Sequence, residues 1–167
     1  MEILYAPWRT QYSTAKPAPN TDLLNSCVFC AHFVLKDDDE QNFILKRFEH
    51  SVVMLNLHPY NAGHLLILPY EHKSSLEQLS LPIRTELMEA LNTSIGILNE
   101  VLRCSGINMG LNLGKASGGS IPEHIHFHVI PRWLGDTNFL AVAAHTKQVS
   151  INLREIYDML KVSFAKI

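Results

Sequence analysis

Residues 123–132 read Glu-His-Ile-His-Phe-His-Val-Ile-Pro-Arg. His124, His126 and His128 alternate with Ile125, Phe127 and Val129. Successive side chains of a β-strand point to opposite faces, so this period of two sets three imidazoles on one face and three apolar groups on the other. The apolar face predicts a core. The imidazole face has no such need, because strands favour β-branched and aromatic residues. Nor does one metal ion explain it: three histidines span about 13 Å at ~3.3 Å per residue, against ligand bonds of ~2 Å. The three must divide their roles.

The plain alternative is an exposed strand face that happens to be rich in histidine, and the preceding loop argues against it. Gly114-Lys-Ala-Ser-Gly-Gly-Ser-Ile121 lets backbone N–H groups converge on an anion, with hydroxyl donors from Ser117 and Ser120. A glycine-serine loop alone is usually just a loop. Beside a row of histidines it suggests phosphate held against an imidazole, whose neutral form has a lone pair near pH 7 and can act as a nucleophile.

Outward from this segment, residues 43–49, Val52–Leu57 and His64–Leu68 read as strands. The connector His58-Pro-Tyr-Asn-Ala-Gly63 has hairpin chemistry, so antiparallel pairing is expected. Residues 74–80 suit one or two helical turns capped by Ser74 or Ser75. A long helix is predicted from Pro82 to Arg103, with Ile83, Leu87, Leu91, Ile95, Leu98 and Leu102 spaced by three or four. Ile107–Leu113 and Ile125–Ile130 read as the last two strands. Ile151, Ile156, Met159, Leu160 and Phe164 predict a closing helix over 150–164. The order β-β-β-α-β-β-α indicates an α+β fold of about five antiparallel strands. Residues 1–26, rich in Pro, Asn, Ser and Thr, read as an arm before a single domain.

Composition excludes several classes. The chain has 167 residues, 47% hydrophobic and 18% charged, enough for one domain with a real core. With 14 Lys and Arg against 16 Asp and Glu, no broad basic footprint for nucleic acid is expected. No apolar run approaches the ~20 residues of a membrane span, and the start lacks a secretory pattern. Three cysteines make no disulfide framework, so a reduced, cytoplasmic protein is expected.

His124-Ile-His-Phe-His-Val-Ile130 resembles the His-φ-His-φ-His-φ-φ signature of the histidine-triad (HIT) superfamily, where φ is apolar. Asn56, Gly63-His64 before an apolar strand and Pro69 resemble the family's first half, and the likeness covers roughly residues 27–140. The resemblance implies a HIT-like fold and a nucleotidyl enzyme in which His126 is the nucleophile. It assigns His128 and His64 to phosphate binding or support, Asn56 to the ribose, and Asn112, Gly119 and Ser120 to the α-phosphate. No magnesium motif is needed if fixed donors meet the phosphoryl charge.

Ala6-Pro-Trp-Arg9, Gly118-Gly-Ser-Ile121 and Pro131–Phe139 look like bacterial relatives in the dinucleoside polyphosphate branch. Ser120 stands where fragile-histidine-triad hydrolases carry Gln. That departure resembles diadenosine tetraphosphate phosphorylases, in which inorganic phosphate replaces water as acceptor. Alternatives are a nucleoside phosphoramidate hydrolase or a low-turnover nucleotide-binding regulator. A homodimer with sheets joined edge to edge follows from the same resemblance, with the apolar long helix needing cover.

Cys27-x-x-Cys30 alone is ambiguous between zinc, redox and chance. Some HIT relatives place a zinc histidine where His72 lies, and their fourth ligand is the first triad histidine, here His124. The resemblance thus implies a structural zinc on Cys27, Cys30, His72 and His124. His32, His50, His58 and His145 fall outside the matched motifs and read as surface or loop residues. Cys104 reads as a small buried side chain, Trp8 and Trp133 as packing residues, and Asp37–Glu40 as a solvated turn.

Overall fold

Three strands lie between residues 44 and 69: β1 (Ile44–Arg47), β2 (Ser51–Leu55) and β3 (Leu65–Pro69), each antiparallel to the next. The computed structural model describes residues 27–34, 38–149 and 151–167. The arm 1–26, with Trp8 and Ala6–Arg9, lies outside the described residues, as do Lys36 and Asp37 of the charged turn.

The β2–β3 hairpin closes at Gly63, whose φ of +70° only glycine takes without strain. A Cβ there would also run into the end of the Leu102 side chain, so the turn requires glycine and the packing favours it.

The long helix, α2 (Leu81–Leu102), starts with Pro82 in its first turn and ends at Arg103 in the left-handed region. Ile83, Leu87, Leu91 and Leu98 of its expected stripe are buried, while Ile95 and Leu102 are partly so. After it come β4 (Gly106–Leu111) and β5 (Phe127–Arg132), and the sheet order is β1-β2-β3-β5-β4. The last strand in sequence therefore sits inside the sheet, between β3 and β4.

The closing helix, α4 (Leu153–Phe164), follows a five-residue helix, α3 (Phe139–Ala143), that the periodicity did not predict. Leu160 and Phe164 are buried as expected. Met159 is 48% exposed, however, and Tyr157 takes the core position. Asn152 caps α4 by accepting from the N–H groups of Arg154 and Glu155.

One sheet face carries Leu45, Val53, Leu55, Leu65, Ile67, Phe127 and Val129, and packs on α2 and α4 as the main core. Because α2 buries its stripe here, it does not need a partner chain to cover it, contrary to the expectation from its apolar pattern.

The other face carries Ile44, Val52, Met54, Leu66 and Leu68 under a helix that was not predicted, α1 (Val28–Val34). Seven residues are too few to show a 3.6 period. Cys104 is a further correction: it lies beyond the end of α2, partly exposed, with its thiol on Asn99 Oδ1. Among the described residues, no helix is long and apolar enough to cross a membrane.

Candidate active site

The strand predicted from Ile125 joins the ladder only at Phe127. Ahead of it the chain finds other partners: Ile125 N–H donates to Lys73 O at 2.6 Å, and the His126 ring bonds back to the His124 carbonyl. The alternation survives this change. Ile125 enters the main core, while His128 pairs across to Leu66 and Gly110 on the face beneath α1.

His126 Nδ1 lies 2.7 Å from the His124 carbonyl oxygen. A carbonyl only accepts, so Nδ1 carries the proton and Nε2 keeps the lone pair. Burial, partly opposed by that bond, lowers the ring's proton affinity below the usual histidine value. A neutral imidazole with one free nitrogen is what nucleophilic attack requires.

A second chain of bonds defines His128. Tyr60 N–H donates to His64 Nδ1 at 3.1 Å, so the His64 proton sits on Nε2, which is 2.9 Å from His128 Nδ1. His128 must then hold its proton on Nε2, beside the Asn112 amide at 3.5 Å. Burial first, then the neighbouring imidazoles, pushes His64 down to about 3 and His128 down to about 4. In the free protein His128 is therefore a neutral donor rather than the added positive charge a protonated ring would supply. The Tyr60 ring stacks over His128 with centroids 6.0 Å apart.

These groups line a cleft of about 540 Å³ that includes Asn56, Asn112, Gly119, Ser120, His126 and His128. Gly119 lies in a close approach: a Cβ would meet Asn112 Cβ at 3.1 Å, tighter than ordinary packing. His64 is fully buried and does not line the cleft. Of the two roles the sequence left open for it, phosphate binding or support, this position fits support of His128. Asn56 Oδ1 accepts from His58 N–H at 2.9 Å, and its Nδ2 lies 3.3 Å from His64 Nδ1.

His32 and His58 were read as surface or loop residues, and both line this cleft, His58 from the hairpin loop. His32 arrives there on α1, which the sequence did not reveal. Asn61 was missed too. Its amide is buried and donates to Pro131 O and Asp136 Oδ2, tying the hairpin loop to the segment after β5. Asp136 also receives Arg132.

Cys27, Cys30, His72 and His124 come together, with one ligand atom of each within 4.8 Å of the others. His124 Nδ1 is 3.4 Å from Cys27 Sγ and 3.5 Å from Cys30 Sγ, and His72 Nδ1 is 3.4 Å from Cys30 Sγ. Tetrahedral zinc with bonds of about 2.3 Å to sulfur and 2.0 Å to nitrogen sets the two about 3.5 Å apart. His124 Nε2–H donates to Pro69 O at 2.9 Å, which leaves Nδ1 its lone pair for a metal. Burial and the neighbouring Cys27 push the Cys30 thiol up to about 11, a penalty that a divalent cation would reverse. The donor set fits zinc.

The family model described as the HIT domain matches residues 38–133. An AP-4-A phosphorylase from Mycobacterium tuberculosis (strain CDC 1551 / Oshkosh) is 35% identical over 169 residues, covering 99% of this chain and 86% of that protein. A bis(5'-nucleosyl)-tetraphosphatase (asymmetrical) from Schizosaccharomyces pombe is 29% identical over 93 residues, 56% of this chain and 50% of its own length. Among solved structures, a Zn-bound histidine triad family protein from Mycobacterium smegmatis superposes with a TM-score of 0.67 at 26% identity. That match covers 84% of this chain and 94% of the other.

Proposed function

The chain belongs to the histidine-triad (HIT) family, and on that premise we propose that it is a nucleotidyltransferase cleaving dinucleoside polyphosphates at the α-phosphate, with inorganic phosphate as acceptor. The observation that carries this reading is the 2.7 Å bond from His126 Nδ1 to the His124 carbonyl, which leaves Nε2 nucleophilic in the cleft.

His126 Nε2 attacks the α-phosphorus, and the bond from phosphorus to the bridging oxygen breaks. The rest of the polyphosphate leaves with both bonding electrons. The ring then carries phosphorus on Nε2 and a proton on Nδ1, a cation that the His124 carbonyl stabilises in place. His128 Nε2–H and the Asn112 amide meet the growing oxygen charge, and Gly119 lets the loop backbone close on the phosphoryl group. Phosphate oxygen then attacks from the vacated side, the phosphorus–nitrogen bond breaks, and a nucleoside diphosphate leaves. Two displacements retain configuration at phosphorus.

Ser120 supports phosphate over water as acceptor. A small side chain leaves room beside the leaving oxygen, and its hydroxyl can hold one phosphate oxygen. Positioning of a reactant can contribute several kcal/mol to a barrier difference. The name of the mycobacterial relative, AP-4-A phosphorylase, supports the same acceptor.

Zinc held by Cys27, Cys30, His72 and His124 would supply cross-linking rather than chemistry, since four protein donors would complete a tetrahedral ion. The family reading also gives a homodimer. Cysteines kept as a thiol or as metal ligands rather than as disulfides suit a reducing compartment such as the cytoplasm.

Product analysis with diadenosine tetraphosphate, with and without phosphate, tests the reading. Phosphate should accelerate cleavage and turn the AMP product into ADP, and His126→Asn should lose turnover by about three orders of magnitude or more. If phosphate merely competes and AMP remains the product, the acceptor is water. His126→Asn activity within tenfold of the parent would exclude the covalent route.

A further inference from the structure

His32 occupies an unusual place in the cleft. It stands on α1 one turn after Val28, and i and i+4 side chains share a helix face. Both line the cleft, with Phe29 between them in sequence and Met54, Leu57 and Leu66 from the sheet side. The phosphate-side donors, Asn112, Ser120 and His128, come from other elements. His32 is thus a polar ring among mainly aliphatic and aromatic walls. The Phe29 ring centroid lies only 5.0 Å from that of His126, which joins this apolar wall directly to the nucleophile.

The Nδ1 atom of His32 is buried and has no hydrogen-bond partner. Buried orphan donors are rarer in native structures than under-satisfied acceptors, so the proton belongs on Nε2 and Nδ1 keeps a lone pair. A protonated ring would carry a hydrogen on Nε2 as well. With Nδ1 covered, Nε2–H is the ring's polar group available to the cleft. An apolar slot with one N–H donor suits a flat heteroaromatic ring that carries acceptor nitrogens on its rim.

We propose that His32 reads the nucleotide base, donating a hydrogen bond from Nε2 to a ring nitrogen of a purine seated between α1 and the sheet. This rests on the reading of the cleft as a nucleotide site, and it assigns a specificity-determining residue to the wall that α1 contributes. A hydrocarbon side chain there would keep the slot apolar and lose its polar discrimination.

Calorimetric titration of the zinc-loaded protein with AMP and with ribose 5-phosphate tests the assignment. His32→Leu should weaken AMP by roughly five- to tenfold, the worth of one neutral hydrogen bond, and leave ribose 5-phosphate unchanged. Its melting temperature should not fall, because an unpaired buried nitrogen has been removed. On the parent, one of 1-deaza-, 3-deaza- and 7-deaza-AMP should show the same loss, and it should lose nothing further on His32→Leu.

Equal weakening of AMP and ribose 5-phosphate would mean a structural role and overturn the assignment. So would parent protein that binds all three deaza analogues as tightly as AMP, a result needing no variant. Failure of the parent to turn over dinucleoside polyphosphates would remove the catalytic reading while leaving this binding test decisive.

Discussion

His64 acts on the cleft without touching it. Its ring is wholly buried, accepts from Tyr60 N–H on Nδ1 and donates a hydrogen bond from Nε2–H to His128 Nδ1. Both rings must be neutral for this order of donors to hold. Burial keeps them so, at about 3 for His64 and about 4 for His128. Unfolding returns each to an ordinary value near 6.5, so below that pH the unfolded chain binds protons that the folded chain refuses. The stability these rings contribute is therefore complete above about pH 6.5 and drains as pH falls towards 4 and 3. The melting temperature should drop between pH 7 and pH 5. His64→Gln should melt lower than the parent at pH 7, because it disturbs the relay, yet show a flatter acid slope. Thermal melts across that range read both effects, and an unchanged slope would remove His64 from the account.

At the scale of elements, α1 joins two jobs that the sequence kept apart. Cys27, just ahead of it, and Cys30, within it, bring thiols to His72 and His124, while Val28, Phe29 and His32 of the helix form a wall of the cleft. A helix of two turns has little stability of its own, so its place depends on packing and, with zinc bound, would depend on the metal clip too. Cys30→Ser should therefore lower zinc content and melting temperature, and weaken AMP several-fold more than it weakens inorganic phosphate. Metal analysis and calorimetry on one preparation measure this. A zinc-free variant with parental AMP affinity would show that packing alone holds α1. The sequence left this coupling illegible for a physical reason. Period-two and period-3.6 patterns exposed β2, β3, α2 and α4 to within a few residues, because each buries a continuous stripe. Seven residues of α1 bury too little to leave a pattern, and His32 is a cleft residue only once α1 is in place. The grouping of His126, His128, Asn112, Gly119 and Ser120 was readable because one loop and its flanking strands carry all five. The insertion of β5 between β3 and β4 was not, since long-range pairing has no local signature.

For the whole molecule, the two edges of the sheet are treated differently. At β1 a register irregularity follows Ile44, and α4 reaches over it: Tyr157 Oη and Lys161 Nζ donate to the Ile44 carbonyl, and Lys161 also to Leu45 O. Bulges and covering helices are how proteins stop an edge from pairing with another chain. The β4 edge is six residues long, carries the half-exposed Met109, and has no comparable cover among the described residues. Further exposed apolar side chains lie after β5, at Leu134, Phe139 and Val142. Apolar surface left around a free edge suits a second copy of the chain, and a two-fold axis would set β4 antiparallel to its own image and extend the sheet to ten strands. Met109→Lys places a charge on each side of that axis, so the pair must bury two like charges or separate. Sedimentation should show a dimer for the parent and a shift toward monomer for Met109→Lys, with circular dichroism unchanged because β4 still pairs with β5. A parent that sediments as a monomer at micromolar concentration would refute the edge pairing, and a variant that remains dimeric would move the interface to the surface around α3.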